Sequence, residues 1–353
     1  MFKKLFTIFN FLILLTTPLF CQNELESNPA TVTLLNLSNK EDLWKIDNFN
    51  NIYSFEQLEE LRIENSYWGP WSYKPRAESN YAYERFRDFL TKGHFPKLKI
   101  LSLDYSQGFF IERQVSNGPY GLSFFSFGYV LQSPTMDFSS FAPNLEILSL
   151  KGFNFTNEHI HKRSVEGNND LRDLAKLPLK ELDLSGGSFE PEQIEQTSYT
   201  TIISLEKLSL NNSKIKTFNF KVFAPNVKHL SLRFTNVNSK DIANISQLPD
   251  LIYIDLSSTK IPAGSLKKLS HLPLLQELKL VSTNMTKADF SCLPSTLKEL
   301  DLSGCELSIA SFSTLSTLTQ LEKLNLKHIK NHNITDAEHL SLQEALPNCI
   351  ILK

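Results

Sequence analysis

A solenoid of short parallel strands is the fold class this sequence predicts: α/β, with a curved, parallel, concave β-sheet on one side and short helices, 3-10 turns and loops on the convex side. Three observations predict it. An apolar pattern at positions 1, 4 and 6 of a unit recurs along most of the 353 residues. From residue 179 the first apolar residue of each unit stands at 179, 205, 227, 251, 275, 297 and 321, leucine in all but Val227, in steps of 26, 22, 24, 24, 22 and 24. A proline closes many units just before the next begins, as at Pro178, Pro225, Pro249, Pro273 and Pro294. Proline cannot continue a helix, and it forces an extended entry into the next strand.

Each part of the unit has a physical role. Positions 3 to 5 make a short strand, so positions 4 and 6 point inward by the period-two rule and positions 3, 5 and 7 face solvent. Position 9 is small or hydroxylic: Ser213, Thr235, Thr259, Thr283 and Cys305. The chain turns inward there, and a short hydroxyl can satisfy backbone groups that would otherwise be buried unpaired. Position 11 is apolar, as at Ile215, Val237, Ile261, Met285 and Leu307. Apolar residues at positions 16 and 19, such as Leu266 and Leu269, suit a short helix or 3-10 turn. No unit can bury its apolar edge alone; its neighbours must cover it.

Upstream copies are Val32-Leu35-Leu37, Leu58-Leu61-Ile63, Leu98-Leu101-Leu103 and Leu145-Leu148-Leu150. The stretches LKELDLSGCEL (297–307), LKELDLSGGSF (179–189) and LIYIDLSSTKI (251–261) are close to a known signature, LxxLxLxx(N/C/T)xL. On these motifs the chain resembles the leucine-rich-repeat family, over roughly residues 50 to 353. The resemblance implies the solenoid fold and a binding role, and it does not name a partner.

The N-terminus is a separate object. Lys3 and Lys4 precede an apolar run from Leu5 to Phe20, broken by Thr16-Thr17-Pro18. Residues 1–21 read as a signal peptide, which implies a secreted, extracellular protein. The alternative is an uncleaved signal-anchor that tethers the chain to a membrane. Residues 22–50 form an N-terminal flank with a degenerate first repeat. Residues 51–353 are the repeat domain, with long insertions at 64–97 and 104–144.

Composition excludes several function classes. The formal charge is −2, and no basic stripe suggests a nucleic-acid partner. No phosphate loop, nucleophile elbow or matched acid–base set occurs, so no catalytic residue and no cofactor is expected. His159 with His161, and His328 with His332, lack the further ligands a metal needs. Beyond the signal only Cys292, Cys305 and Cys349 remain, enough for at most one disulfide, and Cys292 and Cys305 read as small buried residues.

Candidate partner-binding residues come from two places. The insertions hold Tyr67, Trp68, Trp71 and Tyr73, and then Phe109 and Phe110. These aromatics resemble binding loops in composition, or they fold back as a cap over the first coils. On the concave face the most contact-like group is His229, Arg233, Phe234, Tyr253 and Lys279; Tyr and Arg are typical interface anchors. Six Asn-x-Ser/Thr sites, at Asn36, Asn154, Asn211, Asn244, Asn284 and Asn333, could carry N-glycans in a eukaryotic host, and none falls at an inward position. The function expected is therefore a secreted, non-catalytic module that binds a partner protein at a host or cell surface. The alternative is a glycan- or small-ligand-binding protein that uses the aromatic insertions.

Overall fold

The computed structural model describes residues 31–38, 49–64, 89, 92–104, 115–117, 123–125, 138–152, 154–155, 171–189, 200–215, 218–331 and 333–353. The signal segment 1–21 lies outside the described residues, as do Tyr67, Trp68, Trp71, Tyr73, Phe109 and Phe110. The chain divides into two compact units, one holding the described residues up to Ser149 and the other those from Leu150.

In the first unit four strands pair in parallel: β1 (Leu34–Asn36), β2 (Glu60–Arg62), β3 (Ile100–Ser102) and β6 (Ile147–Ser149). Within the second insertion, β4 (Val115–Asn117) pairs antiparallel with β5 (Ser123–Phe125). Behind the strands Phe89, Phe95 and Phe141 are buried with ring centroids 5.0 to 6.2 Å apart. A Cβ at Gly93 would come within 2.7 Å of the Phe141 ring, so this cluster needs a glycine there.

In the second unit β7 (Asn154–Phe155) pairs with β9 (Ser188–Phe189). A longer parallel sheet runs β8 (Glu181–Asp183), β10 (Lys207–Ser209), β11 (His229–Ser231), β12 (Tyr253–Asp255), β13 (Glu277–Lys279), β14 (Glu299–Asp301), β15 (Lys323–Asn325) and β16 (Ile350–Leu352). The register pairs equal unit positions throughout, for example Leu230 with Ile254 and Leu278 with Leu300. Short helical segments return the chain, among them Ser239–Ile245, Ala263–His271 and Asp336–Ala345. Leu251, Ile254, Leu256, Leu266 and Leu269 are all fully buried, so the predicted inward positions make the core.

Two hydrogen-bond ladders fix the turn after each strand. The inner one sits at position 9. Thr235 Oγ1 donates to the Leu232 carbonyl at 2.7 Å, Thr259 Oγ1 to Leu256 at 2.6 Å, and Thr283 Oγ1 to Leu280. Cys305 departs from the pattern: its Sγ donates across to the preceding unit's Leu280 carbonyl at 2.8 Å, the acceptor that Thr283 also uses. Each hydroxyl satisfies a buried carbonyl that no strand partner reaches.

The outer ladder runs through positions 5 and 7. Asp183, Asp255 and Asp301 each accept the N–H two residues on, from Ser185, Ser257 and Ser303, at 2.9 Å. Position 7 then reaches across to the next unit. Ser185 Oγ accepts from Asn211 N at 3.1 Å, Asn211 Oδ1 from Arg233 N at 2.8 Å, and Ser257 Oγ from Val281 N at 3.1 Å. The next residue, position 8, is left-handed: φ is 54° at Asn212, 55° at Phe234 and Ser258, 56° at Ser282 and 67° at Gly304. That reversal lets its N–H bond the position-7 carbonyl of the following unit, as Phe234 N does to Ser257 O at 3.0 Å.

The outer ladder corrects the expectation that positions 5 and 7 are solvated. Asp255 is only 4% exposed and Ser257 0%. Both point to the strand face, but they bond each other and neighbouring side chains cover them. Cys292 is also a correction: it is half-buried, whereas Cys305 and Cys349 are buried, and all three are free thiols. Burial pushes the Cys349 thiol up to about 11.

Candidate functional site

The five strand-face candidates come together on β11 to β13. The parallel register sets His229 beside Tyr253 and Asp255 beside Lys279. The His229 and Tyr253 rings tilt together at 5.9 Å. Lys279 Nζ lies 5.1 Å from the Tyr253 ring centre and 3.1 Å from Glu277 Oε1. Arg233 Cζ lies 5.6 Å from the Phe234 ring, and its Nε is 3.7 Å from Asp255 Oδ2. Tyr253 Oη is 3.5 Å from that same carboxylate oxygen. Asp255 is therefore the residue that links the two halves of the patch. The sequence reading counted it as a solvated letter; its acidic identity between Arg233 and Tyr253 was the available signal.

The electrostatics follow from this packing. Burial and then the Asp255 charge push the Tyr253 phenol up, against the opposing Lys279. Burial alone lowers Lys279, but the hydrogen bond to Glu277 and the Tyr253 charge outweigh it, and its pKa rises. His229 falls below its ordinary value through burial, helped by Lys207 on the neighbouring strand. Its Nδ1 is buried and unpaired among the described residues. At neutral pH the patch thus offers a neutral imidazole, a neutral phenol and two cations.

Phe234 is the outlier. It is 58% exposed and holds φ at 55°, where the equivalent residues are Gly, Asn, Ser or His. A bulky side chain in this region carries strain, and such strain collects at functional sites. Nothing in the core explains it, since the ring packs outward under Arg233.

Among the described residues no group of three or more His, Cys, Asp or Glu could hold a metal. No helix of the described residues is long and apolar enough to cross a membrane. Of the sequons, Asn36, Asn284 and Asn333 are exposed, while Asn211 and Asn244 are half-buried. The amide nitrogens of Asn211 and Asn284 are engaged, with Ser209 Oγ at 3.0 Å and Glu306 Oε2 at 2.7 Å. Asn154 lies on β7.

No family model matches the chain. The CD180 antigen of Mus musculus is 28% identical over 209 residues, which are 56% of this chain and 30% of that protein. Among solved structures, TLR13 in its complex with ssRNA13 aligns with a TM-score of 0.50 at 19% identity, over 91% of this chain and 46% of that one. The fold is a leucine-rich-repeat solenoid. An internalin, InlF of Listeria monocytogenes, covers 94% of this chain and 88% of its own, at 14% identity and a TM-score of 0.48. The leucine-rich-repeat chain spans less than half of TLR13 and under a third of the CD180 antigen.

Proposed function

We propose that this chain is a secreted, non-catalytic binding module that recognises a partner protein through the strand face at His229, Arg233, Phe234, Tyr253 and Lys279. The observation that carries the reading is Phe234, an exposed aromatic kept in a strained backbone conformation under Arg233. Tyr and Arg together, clustered and partly desolvated, are what interface hot spots use. The aromatic insertions around Tyr67 to Tyr73 and Phe109 to Phe110 belong to the same proposal as a second contact region. TLR13 is known here in complex with an ssRNA; the mixed signs along this strand face favour a protein over an anionic backbone. Affinity capture with the mature chain, followed by identification of what binds, tests the reading. Capture that survives the joint change Arg233→Ala and Tyr253→Ala in a folded protein would overturn it.

Secretion is part of the proposal. N-terminal sequencing of exported chain should begin at Gln22; a chain that keeps residues 1–21 fits the signal-anchor alternative instead. In a eukaryotic secretory host we assign glycans to Asn36 and Asn333, exposed and with amide nitrogens that no described group engages. Asn333→Gln and Asn36→Gln should each remove one glycan mass from the intact protein.

A further inference from the structure

We propose that the second unit carries a small binding site for an acidic sugar of the uronate type, separate from the strand-face patch. The site is a cleft of about 320 Å³ at the edge where the strands turn inward, lined by positions 8 to 11 of successive units. That volume is at the lower end of ligand pockets, which run from about 300 to 1,000 Å³.

A break in the backbone pairing makes the cleft. A row of isolated bridges runs along position 10, joining Lys330 to Glu306 and Glu306 to Asn284. In each bridge the position-10 N–H donates to the preceding unit's position-9 carbonyl, as Glu306 N does to Thr283 O at 3.1 Å. The preceding unit's position-11 N–H returns to the position-10 carbonyl, as Met285 N does to Glu306 O at 2.9 Å. The row does not continue to Lys260. Among the described residues nothing accepts from Asn284 N or Ile261 N, and the Thr259 and Asn284 carbonyls lose the corresponding donors. Two donors and two acceptors of the main chain therefore meet at the gap. Such groups take water or a ligand, since they are strong obligatory hydrogen-bonding groups.

The side chains around the gap select the ligand. Lys260 and Lys330 line the cleft, and neither makes an ion pair among the described residues. Glu306 lies between them and accepts from Asn284 Nδ2 at 2.7 Å. Gly304 keeps the floor open: its φ is 67°, and a Cβ there would come 2.9 Å from Ser282 Oγ. Ile261 is the one hydrophobic residue in the lining, so an apolar ligand finds little surface. Paired main-chain donors and acceptors, with the Ser282 hydroxyl, match a polyol. Two lysines add a carboxylate, through charge-assisted hydrogen bonds about twice as strong as neutral ones.

Ligand-observed saturation-transfer NMR on the whole secreted chain tests this, with sodium glucuronate, glucose and sodium sulfate as probes. Glucuronate should give a saturable signal, and glucose should bind at least about tenfold more weakly. The joint change Lys260→Glu and Lys330→Glu, both on exposed side chains, should weaken glucuronate by at least about tenfold while the melting temperature holds. Three results overturn the proposal: no saturable glucuronate signal, glucose binding as well as glucuronate, or sulfate competing with glucuronate at equal strength. If the variant misfolds, the selectivity among the three probes on the native chain still decides. Partner capture that persists in saturating glucuronate keeps this site and the strand-face reading separable.

Discussion

Two stretches of one sheet differ most plainly at one column. At position 3, β8 and β10 are joined by Lys207 Nζ and Glu181 Oε1 at 2.6 Å, and β14 and β15 by Lys323 Nζ and Glu299 Oε2 at 3.1 Å. Between them β11 and β12 carry the His229 and Tyr253 rings instead. The backbone is the same in both stretches, with the same register and the same left-handed turn after the strand. Charge pairs leave a surface whose groups are already matched to each other. The ring pair leaves aromatic surface in place of a matched charge pair, with Lys279 over the Tyr253 ring. The contrast teaches that specificity here is written on top of a constant frame.

The largest expected effect breaks the contrast directly. Arg233→Ala with Tyr253→Ala should weaken partner capture by about 2 kcal/mol or more, roughly thirtyfold, as hot-spot truncations do. Glu299→Ala with Lys323→Ala should leave capture unchanged in the same surface-plasmon titration. Next comes the shared frame beneath. Thr259→Val strips the hydroxyl from the Leu256 carbonyl, and Thr283→Val does the same to Leu280. Thr259→Val should cost about 1–2 kcal/mol in a denaturant melt, and Thr283→Val less, because the Leu280 carbonyl keeps Cys305 Sγ at 2.8 Å and Thr283 N at 3.1 Å. Equal costs would mean that the thiol does not compensate for the lost hydroxyl.

A third change should move two readouts in opposite directions. Phe234→Gly relieves the positive φ and should stabilise the fold by about 1 kcal/mol while weakening capture. A loss of stability would show that the ring packs for the fold and is not held for a partner. Smaller still is the Glu299–Lys323 pair. Both side chains are about half exposed, at 44% and 50%, so Lys323→Ala should cost less than about 1 kcal/mol, and less again at high salt.

The smallest effect is in pH. Burial, then Lys207, depresses His229 in the folded chain, so the unfolded chain binds the proton more readily. Stability should therefore fall as pH drops below the ordinary histidine range of about 6.5, and it should be recovered above it. His229→Gln should flatten that part of the melting-temperature profile. An unchanged profile would place the proton elsewhere.

How much of this was legible in the letters depends on the kind of bond. The strands, their register and the core followed from leucine spacing, because positions 1, 4 and 6 are apolar and buried in every unit from Leu179 to Leu326. The inner ladder was legible too, since hydroxyls recur where nothing else explains them. The outer ladder was not. Asp255 and Ser257 are polar, and the period-two rule puts them on the solvent face; their burial arises from a bond to Val281 and an ion pair from Arg233, both in neighbouring units, and from Tyr253 two residues back on the same strand. The cleft at Lys260 was equally hidden, because a missing bridge leaves no mark in the residue types. Phe234 was read as contact-like from its identity alone, whereas its backbone strain needed coordinates.

The outer ladder has a consequence for how such a chain can change over generations. Its acceptors are particular side chains, Ser185, Asn211 and Ser257, but what each requires from the next unit is only a main-chain N–H. Every residue except proline supplies one. Arg233 and Val281 supply theirs as main-chain donors, and no proline stands at any position 7, from Glu64 to Lys327. Inheritance must therefore preserve the accepting side chains, Asn211 among them, whereas at donor-only positions such as Arg233 and Val281 the side chain is free to change in size and charge. Those letters can be rewritten to meet a new partner without renegotiating the scaffold that presents them.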